Sequence, residues 1–187
     1  TTRFGSLPWM APSLFVPLAS RLERWLEQVA AEGPGTLAWE DADNALLLRT
    51  GLALVVGMER GARERSRQLA ERLLVLDNHD SLGLGGLVLD QLLRDGRDSD
   101  ALALSEQPPE AEAEGPALGV LMGRALALYR LDRPEEAGQA LAETQAHNAH
   151  ALKLLCADTP RPLSGSDDDP AEPGSRAEAW QYRTLMR

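Results

Sequence analysis

Apolar residues recur at steps of three and four along most of the chain, the spacing that places them on one face of an α-helix. The clearest case spans residues 117–146, where one apolar stripe stops at Leu131 and Pro134 opens a second helix. The inner face of that second helix consists of small residues, so the two helices can pack closely. The pattern predicts a helical hairpin that needs a neighbour, because neither helix buries its stripe alone.

Two earlier stretches follow the same plan. The small residues that face back into the three predicted hairpins are Ser66, Ala101 and Ala137. Their spacings are 35 and 36 residues (101 − 66 and 137 − 101). An interhelix turn precedes each of them by five residues, at Gly61, Gly96 and Asp132. Further helices are predicted over residues 20–31, 81–95, 99–107, 148–157 and 176–187.

This period is similar to the 34-residue helix–turn–helix unit of the tetratricopeptide repeat (TPR) family. Residues 76–80, Leu-Asp-Asn-His-Asp, resemble the family's closing turn, and residues 133–137, Arg-Pro-Glu-Glu-Ala, resemble the start of its second helix. The resemblance covers residues 42–157 and is best in the third copy. The family's first-helix Trp is replaced in all three copies, by Thr50, Gly85 and Leu121.

Within that superfamily, residues 78–83, 123–130, 148–150 and 174–182 resemble bacterial relatives of the suppressor-of-tumorigenicity-7-type TPR proteins. The resemblance implies an all-α fold, an α-solenoid of about three TPR-like hairpins with flanking capping helices. It also implies a protein-interaction scaffold with no assigned catalysis.

The predicted organisation has four parts. Residues 1–41 form an aromatic, Pro-rich extended arm, with a short helix starting near Ser13 or Pro17, and the N-terminal helix of residues 20–31; residues 42–157 form the TPR-like repeat domain. Residues 158–175 form an acidic loop rich in Pro, Gly and Ser, and residues 176–187 form a C-terminal capping helix.

The first helices of such a stack line a concave groove. Arg94 and Arg130 take the same place in successive repeats, and two guanidiniums could hold a peptide carboxylate or backbone carbonyls. The other interpretation is that each arginine pairs with a neighbouring acid, as Asp90 and Arg94 can at their four-residue spacing. Counting along the repeat assigns these residues to the groove: Val55, Met58, Glu59, Asp90, Arg94, Met122, Leu126 and Arg130.

Composition supports a helical, non-nucleic-acid-binding protein. Leu and Ala supply most of the 43% hydrophobic share and aromatics make up only 4%, which favours helices over sheets. The net charge of −10 argues against nucleic acid as a partner. The sequence contains no run of 18 apolar residues, so we expect no membrane helix. The single cysteine, Cys156, indicates a reducing, cytoplasmic location.

Catalytic motifs are not evident, so we expect no enzymatic activity, no cofactor and no metal. His147 and His150 lie three residues apart and could bind a metal with Asp158, but a helix junction explains them better. Cys156 is expected to be buried on an apolar helix. Three arginines of the third predicted helix would contact an acidic partner or the acidic neighbouring helices; the other interpretation is a solvated face with pairs at helical spacing: Arg63, Arg67 and Arg72.

The aromatic residues are skewed towards the ends, since all four Trp and both Phe lie outside the repeats. Trp25 near one end, with Trp180 and Tyr182 near the other, would cap the apolar faces of the terminal repeats. Alternatively, the first aromatics form an arm that docks on another chain: Phe4, Trp9 and Phe15. The expected function is a scaffold that binds a protein or peptide in its groove. The alternative is a structural or self-associating subunit of a larger assembly, such as a homo-oligomer, whose copies are joined by that arm.

Overall fold

The computed structural model describes residues 10–32, 37–59, 61–77, 79–107, 117–159 and 172–185. Every regular element within those ranges is an α-helix, which confirms the all-α prediction. The helices are α1 (Met10–Glu32), α2 (Ala42–Met58), α3 (Arg63–Leu76), α4 (Leu84–Arg94), α5 (Asp98–Ser105), α6 (Leu118–Arg130), α7 (Pro134–His147), α8 (Ala151–Cys156) and α9 (Arg176–Leu185).

The chain forms two compact units, one comprising Thr1–Gln91 with Pro109–Ala113 and the other Leu92–Pro108 with Glu114–Arg187. In the first unit, α2 and α3 form a hairpin on which α1 packs. Its core is built from fully buried aliphatic side chains, among them Leu48, Leu69 and Leu73. Leu73 comes so close to Gly51 that a Cβ there would lie 2.5 Å from its Cδ1 atom, so the glycine lets the two helices approach.

Helix α1 begins at Met10, earlier than the predicted start near Ser13 or Pro17, and it contains Pro17. The ring of Phe15 lies against Gly57 of α2, where an added Cβ would be 2.8 Å from the ring. Phe15 is therefore part of the first unit's packing and not of an extended arm. Further along α1, Arg65 of α3 donates to both carboxylate oxygens of Glu23, at 2.9 and 2.7 Å.

Two aspartates organise the loop that leads into α4. Asp77 is buried and accepts hydrogen bonds from the backbone N–H and the hydroxyl of Ser81. Asp80, at φ +48°, accepts from the backbone N–H groups of Leu84 and Gly85. Because Asp80 caps the helix from four residues upstream, α4 begins at Leu84 and not at Ser81 as predicted.

In the second unit, α6 and α7 form a hairpin that α5 joins from the side of α6, and α8 and α9 follow. The turns after α4 and α6 have the same local structure. A residue with positive φ, Gly96 in one and Asp132 in the other, donates its N–H to the carbonyl three residues back. The next residue, Arg97 or Arg133, donates to the carbonyl five residues back, which defines a Schellman motif in both turns.

The helices that follow these turns also start alike. Arg97 pairs with Asp100 and Arg133 pairs with Glu136, each at a spacing of three residues. Ala101 and Ala137 then come one position later and are buried. The 36-residue spacing read from the sequence therefore corresponds to a repeated backbone and side-chain arrangement within this unit.

The turn at Gly96 allows a conformational test, with a glycine inside helix α7 as the matched control. At Gly96 (φ +71°) nothing lies within 4 Å of an added Cβ, so Gly96→Ala should destabilise the protein by about 1 kcal/mol through backbone strain alone. Gly138, in the interior of α7, is equally uncrowded, and Gly138→Ala should stabilise by about 0.5–1 kcal/mol. Urea denaturation measures both values, and a shift of the same sign in the two variants would contradict the assigned turn.

The Asp80 carboxylate predicts a pH dependence of stability. Partial burial raises its pKa from 3.8 to about 6, against the lowering effect of the two N–H donors. Since the folded-state pKa is the higher one, the stabilising contribution of protonated Asp80 is full below pH 3.8 and is lost as the pH rises through about 6.

We therefore compare the wild type with Asp80→Asn, which does not titrate at this position. The free energy of unfolding of the wild type should fall relative to the variant by on the order of 2–3 kcal/mol between pH 4 and pH 7, at about 1.4 kcal/mol per pKa unit. A difference between the two proteins that stays constant over this range would contradict the assignment.

Candidate partner-binding surface

Helix α6 carries two apolar stripes. The inner stripe of Leu121, Ala125 and Leu128 is buried, as the periodicity predicts. At 100° per residue, a second stripe spans about 80° of the helix surface. Its two halves differ in environment, because the N-terminal residues are covered while the C-terminal residues are 42% and 69% exposed. The members of this outer stripe, from the N-terminal end, are Leu118, Met122, Leu126 and Tyr129.

Helix α9 covers the N-terminal half of the outer stripe. Leu118 of α6 shares a buried cluster with Ala151 and Leu154 of α8 and Ala179 of α9. Three partly buried side chains pack against this cluster: Met122, Trp180 and Tyr182. The two aromatics expected to cap a terminal apolar face thus pack on α6 and α8.

A polar network fixes the N-terminal end of α9. One carboxylate oxygen of Glu178 accepts from the backbone N–H of Gly174 at 2.8 Å and from the side-chain amide of Asn148 at 2.9 Å. The same amide of Asn148 also donates to the carbonyl of Ser175, and its oxygen accepts from the N–H of His150. Asn148 is buried, so it links the turn between α7 and α8 to α9.

The C-terminal part of α9 is held by a buried arginine. Arg183 donates to the carbonyl oxygens of Leu154 and Leu155, at the end of α8. These carbonyls lack partners within their own helix, so the guanidinium satisfies them and its charge lies at the negative end of the helix dipole.

The sequence suggested that Arg94 and Arg130 together bind a group of a partner, but in the structure Arg130 contacts its own chain. Its Nη1 atom donates to the carbonyl of Leu93 at 2.5 Å and to a carboxylate oxygen of Asp98 at 3.3 Å. Arg130 thus binds the turn between α4 and α5, and one of its three nitrogen atoms serves the fold. The alternative interpretation, pairing with a nearby acid, fits Arg130. Arg94 is exposed and has an interaction of its own.

The groove residues assigned in the first unit do not form an exposed surface there. Val55 and Met58 are buried in the core, while Glu59 and Asp90 are half-buried and already engaged. Helix α2 packs against both α1 and α3, so a wider arc of it is buried than a count based on one hairpin partner predicts. Of the predicted groove residues in the second unit, Arg94, Leu126 and Arg130 are exposed and Met122 is half-buried.

The residues considered for chemistry are dispersed or serve other contacts. Within the described ranges, no group of three or more His, Cys, Asp or Glu side chains is placed to hold a metal ion. His147 lies 3.7 Å from Glu178 at the junction with α9, and His150 is exposed. Cys156 is exposed, contrary to the prediction of a buried thiol, because it is the last residue of the short helix α8.

The arginines of α3 pair with acids. Arg67 is buried and contacts Glu64 and Glu71, each at 2.6 Å, which matches the interpretation of helical i,i+3 and i,i+4 pairs. Arg72 lies 3.5 Å from Glu27 of α1. Of the arm residues, Phe4 and Trp9 lie outside the described residues.

Comparisons of the chain with protein-family models, with curated proteins and with solved structures find no significant match. Within the described residues, no helix combines the length and the apolar composition that a membrane-spanning segment requires.

The network around α9 gives a stability prediction. Asn148→Ala removes a buried amide and leaves the carbonyl of Ser175 with one partner fewer, so it should destabilise the protein by about 1–3 kcal/mol. Gln145→Ala, at an exposed position of α7, is the matched control and should change stability by less than about 0.5 kcal/mol. Equal urea midpoints for the two variants would show that this network does not hold α9.

Proposed function

We propose that the protein is a non-catalytic scaffold that binds a protein or peptide segment through the outer stripe of α6. The observation that carries this proposal is the exposure of Leu126 (42%) and Tyr129 (69%) on that stripe. Single exposed apolar residues are common on protein surfaces. These two, however, lie one helical turn apart and continue a stripe whose first half is already covered by a helix.

The exposed parts of these two side chains supply part of the free energy of recognition. Covering a fully exposed large apolar side chain contributes about 1.5–3 kcal/mol, so covering the exposed 42% of Leu126 and 69% of Tyr129 would contribute roughly 2–3 kcal/mol before the cost of association. Exposed aromatic residues are also enriched among those that dominate binding energy. Tyr129 is therefore the expected anchor of the contact.

Arg130 borders this surface. Its side chain remains 41% exposed while one of its nitrogen atoms contacts Leu93 and Asp98. A guanidinium has five N–H donors, so others remain for a carboxylate or carbonyl group of a partner. Because the fold already fixes its position, Arg130 would lose little conformational entropy on binding.

The proposed architecture behind this surface is a solenoid of TPR-like hairpins. It is supported by the repeated Schellman turns at Gly96 and Asp132 and by the buried small residues that follow them. In such repeats the first helix of a hairpin faces the partner. Helix α6 is the first helix of its hairpin, and its outer stripe is the apolar one.

The test is affinity purification from a lysate of the source organism, with mass spectrometry of what is retained. The bait Leu126→Asp/Tyr129→Asp should retain the partner at a level at least tenfold below the wild-type bait. The control bait Leu46→Asp changes an exposed leucine of similar size in α2 and should retain it fully.

Retention by the double variant would overturn the proposal. Recovery of the protein's own chain alone, with every bait, would favour the alternative of a self-associating subunit. Deleting residues 1–9 would then show whether Phe4 and Trp9 hold that assembly.

A further inference from the structure

We infer that the partner presents a short, uncharged apolar segment, and that this segment lies in a groove between α6 and α7 instead of along α6 alone. This inference rests on the proposed function and names the chemistry of the partner. The observation behind it is a second exposed stripe, on α7, which lies on the same face of the hairpin as the outer stripe of α6 and carries no charge.

Helix α7 has an outer stripe of its own. Its inner face is the buried row of Ala137, Ala140 and Thr144. At 100° per residue, the positions roughly 100° from that row form a second row, and all of its members are exposed. The members of this outer stripe of α7 are Pro134, Gly138, Leu141 and Gln145.

One ion pair shows that the two outer stripes share a face. Arg124 of α6 lies 3.4 Å from Glu143 of α7. Each is displaced from the inner stripe of its own helix by roughly 70–90° in the same rotational sense, which in an antiparallel hairpin brings the two side chains to one face. Both outer stripes are displaced by roughly 90° in the opposite sense. They therefore lie together on the other face, where α9 packs on Leu118 and Met122.

The helices that follow are too short to cover this whole face. Helix α6 has 13 residues and α7 has 14, while α8 has 6. These lengths correspond to about 20 Å for α6 and α7 and about 9 Å for α8. Within the described residues of the second unit, the large apolar side chains that stay exposed all lie on the two outer stripes, away from the end that α9 covers: Leu126, Tyr129 and Leu141.

The groove between the two stripes is free of charge. Every member of both outer stripes is uncharged, although the chain as a whole is rich in charged residues. Arg130, at the rim, contacts Leu93 and Asp98, and Arg124 lies on the opposite face. A charged side chain buried in the groove would lose its hydration without gaining an ionic partner there. Complementarity therefore favours an uncharged, apolar segment.

The size of the open face favours a short segment over a folded domain or a second copy of the chain. From Pro134 to Leu141 the groove extends about 10 Å, and two helices side by side are about 20 Å wide. The open face thus measures on the order of 200 Å², well below the roughly 800 Å² per partner of a standard stable interface. About two turns of helix, or about three extended residues, span its length.

The test is a selection of random dodecapeptides displayed on phage against the immobilised full-length protein, followed by counter-selection on Gly138→Glu. This substitution places a charge in the groove. The fold should be retained, because nothing lies within 4 Å of an added Cβ and glutamate favours a helix more than glycine does. Gln139→Glu is the matched control, since it adds the same charge at the next position, which is exposed and lies outside the stripe.

Peptides that bind Gln139→Glu but are lost on Gly138→Glu should contain fewer charged residues than the starting library. The most enriched of them, synthesised with a fluorescein label, should bind Gly138→Glu and Leu141→Asp about tenfold or more weakly than it binds the wild type and Gln139→Glu. Fluorescence anisotropy measures these affinities. Urea denaturation verifies that Gly138→Glu is at least as stable as the wild type.

The outcomes separate this inference from the proposed function. Peptides that depend on Leu126 and Tyr129 but bind Gly138→Glu and Leu141→Asp as tightly as the wild type would exclude the groove and leave the surface on α6 standing. Enrichment of charged peptides, or the absence of any peptide that distinguishes Gly138→Glu from Gln139→Glu, would overturn the inference.

A dimer in sedimentation equilibrium that Gly138→Glu dissociates would assign the face to a second copy and would also overturn the inference. Failure of the proposed function has a different signature. In that case the selected peptides would bind Leu126→Asp/Tyr129→Asp as tightly as the wild type.

Discussion

The close approach of α6 and α7 is the contact on which the second unit depends. Helix α7 packs on α6 and buries small residues, Ala137, Ala140 and Thr144, while the inner stripe of α6 is buried as well. A large residue at any of these positions would force the helices apart, at about 1–3 kcal/mol for an overpacked site. Because the inner stripe is satisfied in this way, the outer stripe is left for other contacts.

Charged groups in this unit are used mainly for the fold. Arg130 completes the turn between α4 and α5, Arg183 binds the last carbonyls of α8, and Glu178 joins two backbone segments through Asn148. Buried ionic groups contribute little net stability when compared with apolar ones, but removing one member of such a contact is costly. Their effect is to fix which surfaces meet, and here they fix the position of α9 at both of its ends.

Much of the fold follows from local patterns in the sequence. The spacing of apolar residues gave the α6–α7 hairpin with its boundaries close to those observed, and Gly96 and Asp132 marked turns whose backbone requires positive φ. The start of α4 was missed because Asp80 reaches four residues forward to cap it. That contact depends on the geometry of the loop and not on the residue adjacent to the helix.

The candidate surface was predictable only in part. Met122, Leu126 and Arg130 were assigned to it, but Leu118 and Tyr129, which complete the outer stripe, were not. Val55 and Met58 are buried because helix α2 packs against two neighbouring helices. The position of a residue within the repeat does not reveal how many helices surround it. Cys156 was expected in the core because its neighbours in the sequence are apolar, but it is exposed because helix α8 ends there.

That exposed thiol has a practical consequence. Cys156 is the only cysteine in the chain, and it follows directly after Leu154 and Leu155, whose carbonyls bind Arg183 of α9. A dye or spin label attached to it would lie at the end of α8, next to the residues that hold α9. The native sequence therefore provides a site-specific spectroscopic reporter of whether α9 is bound, without any engineered residue.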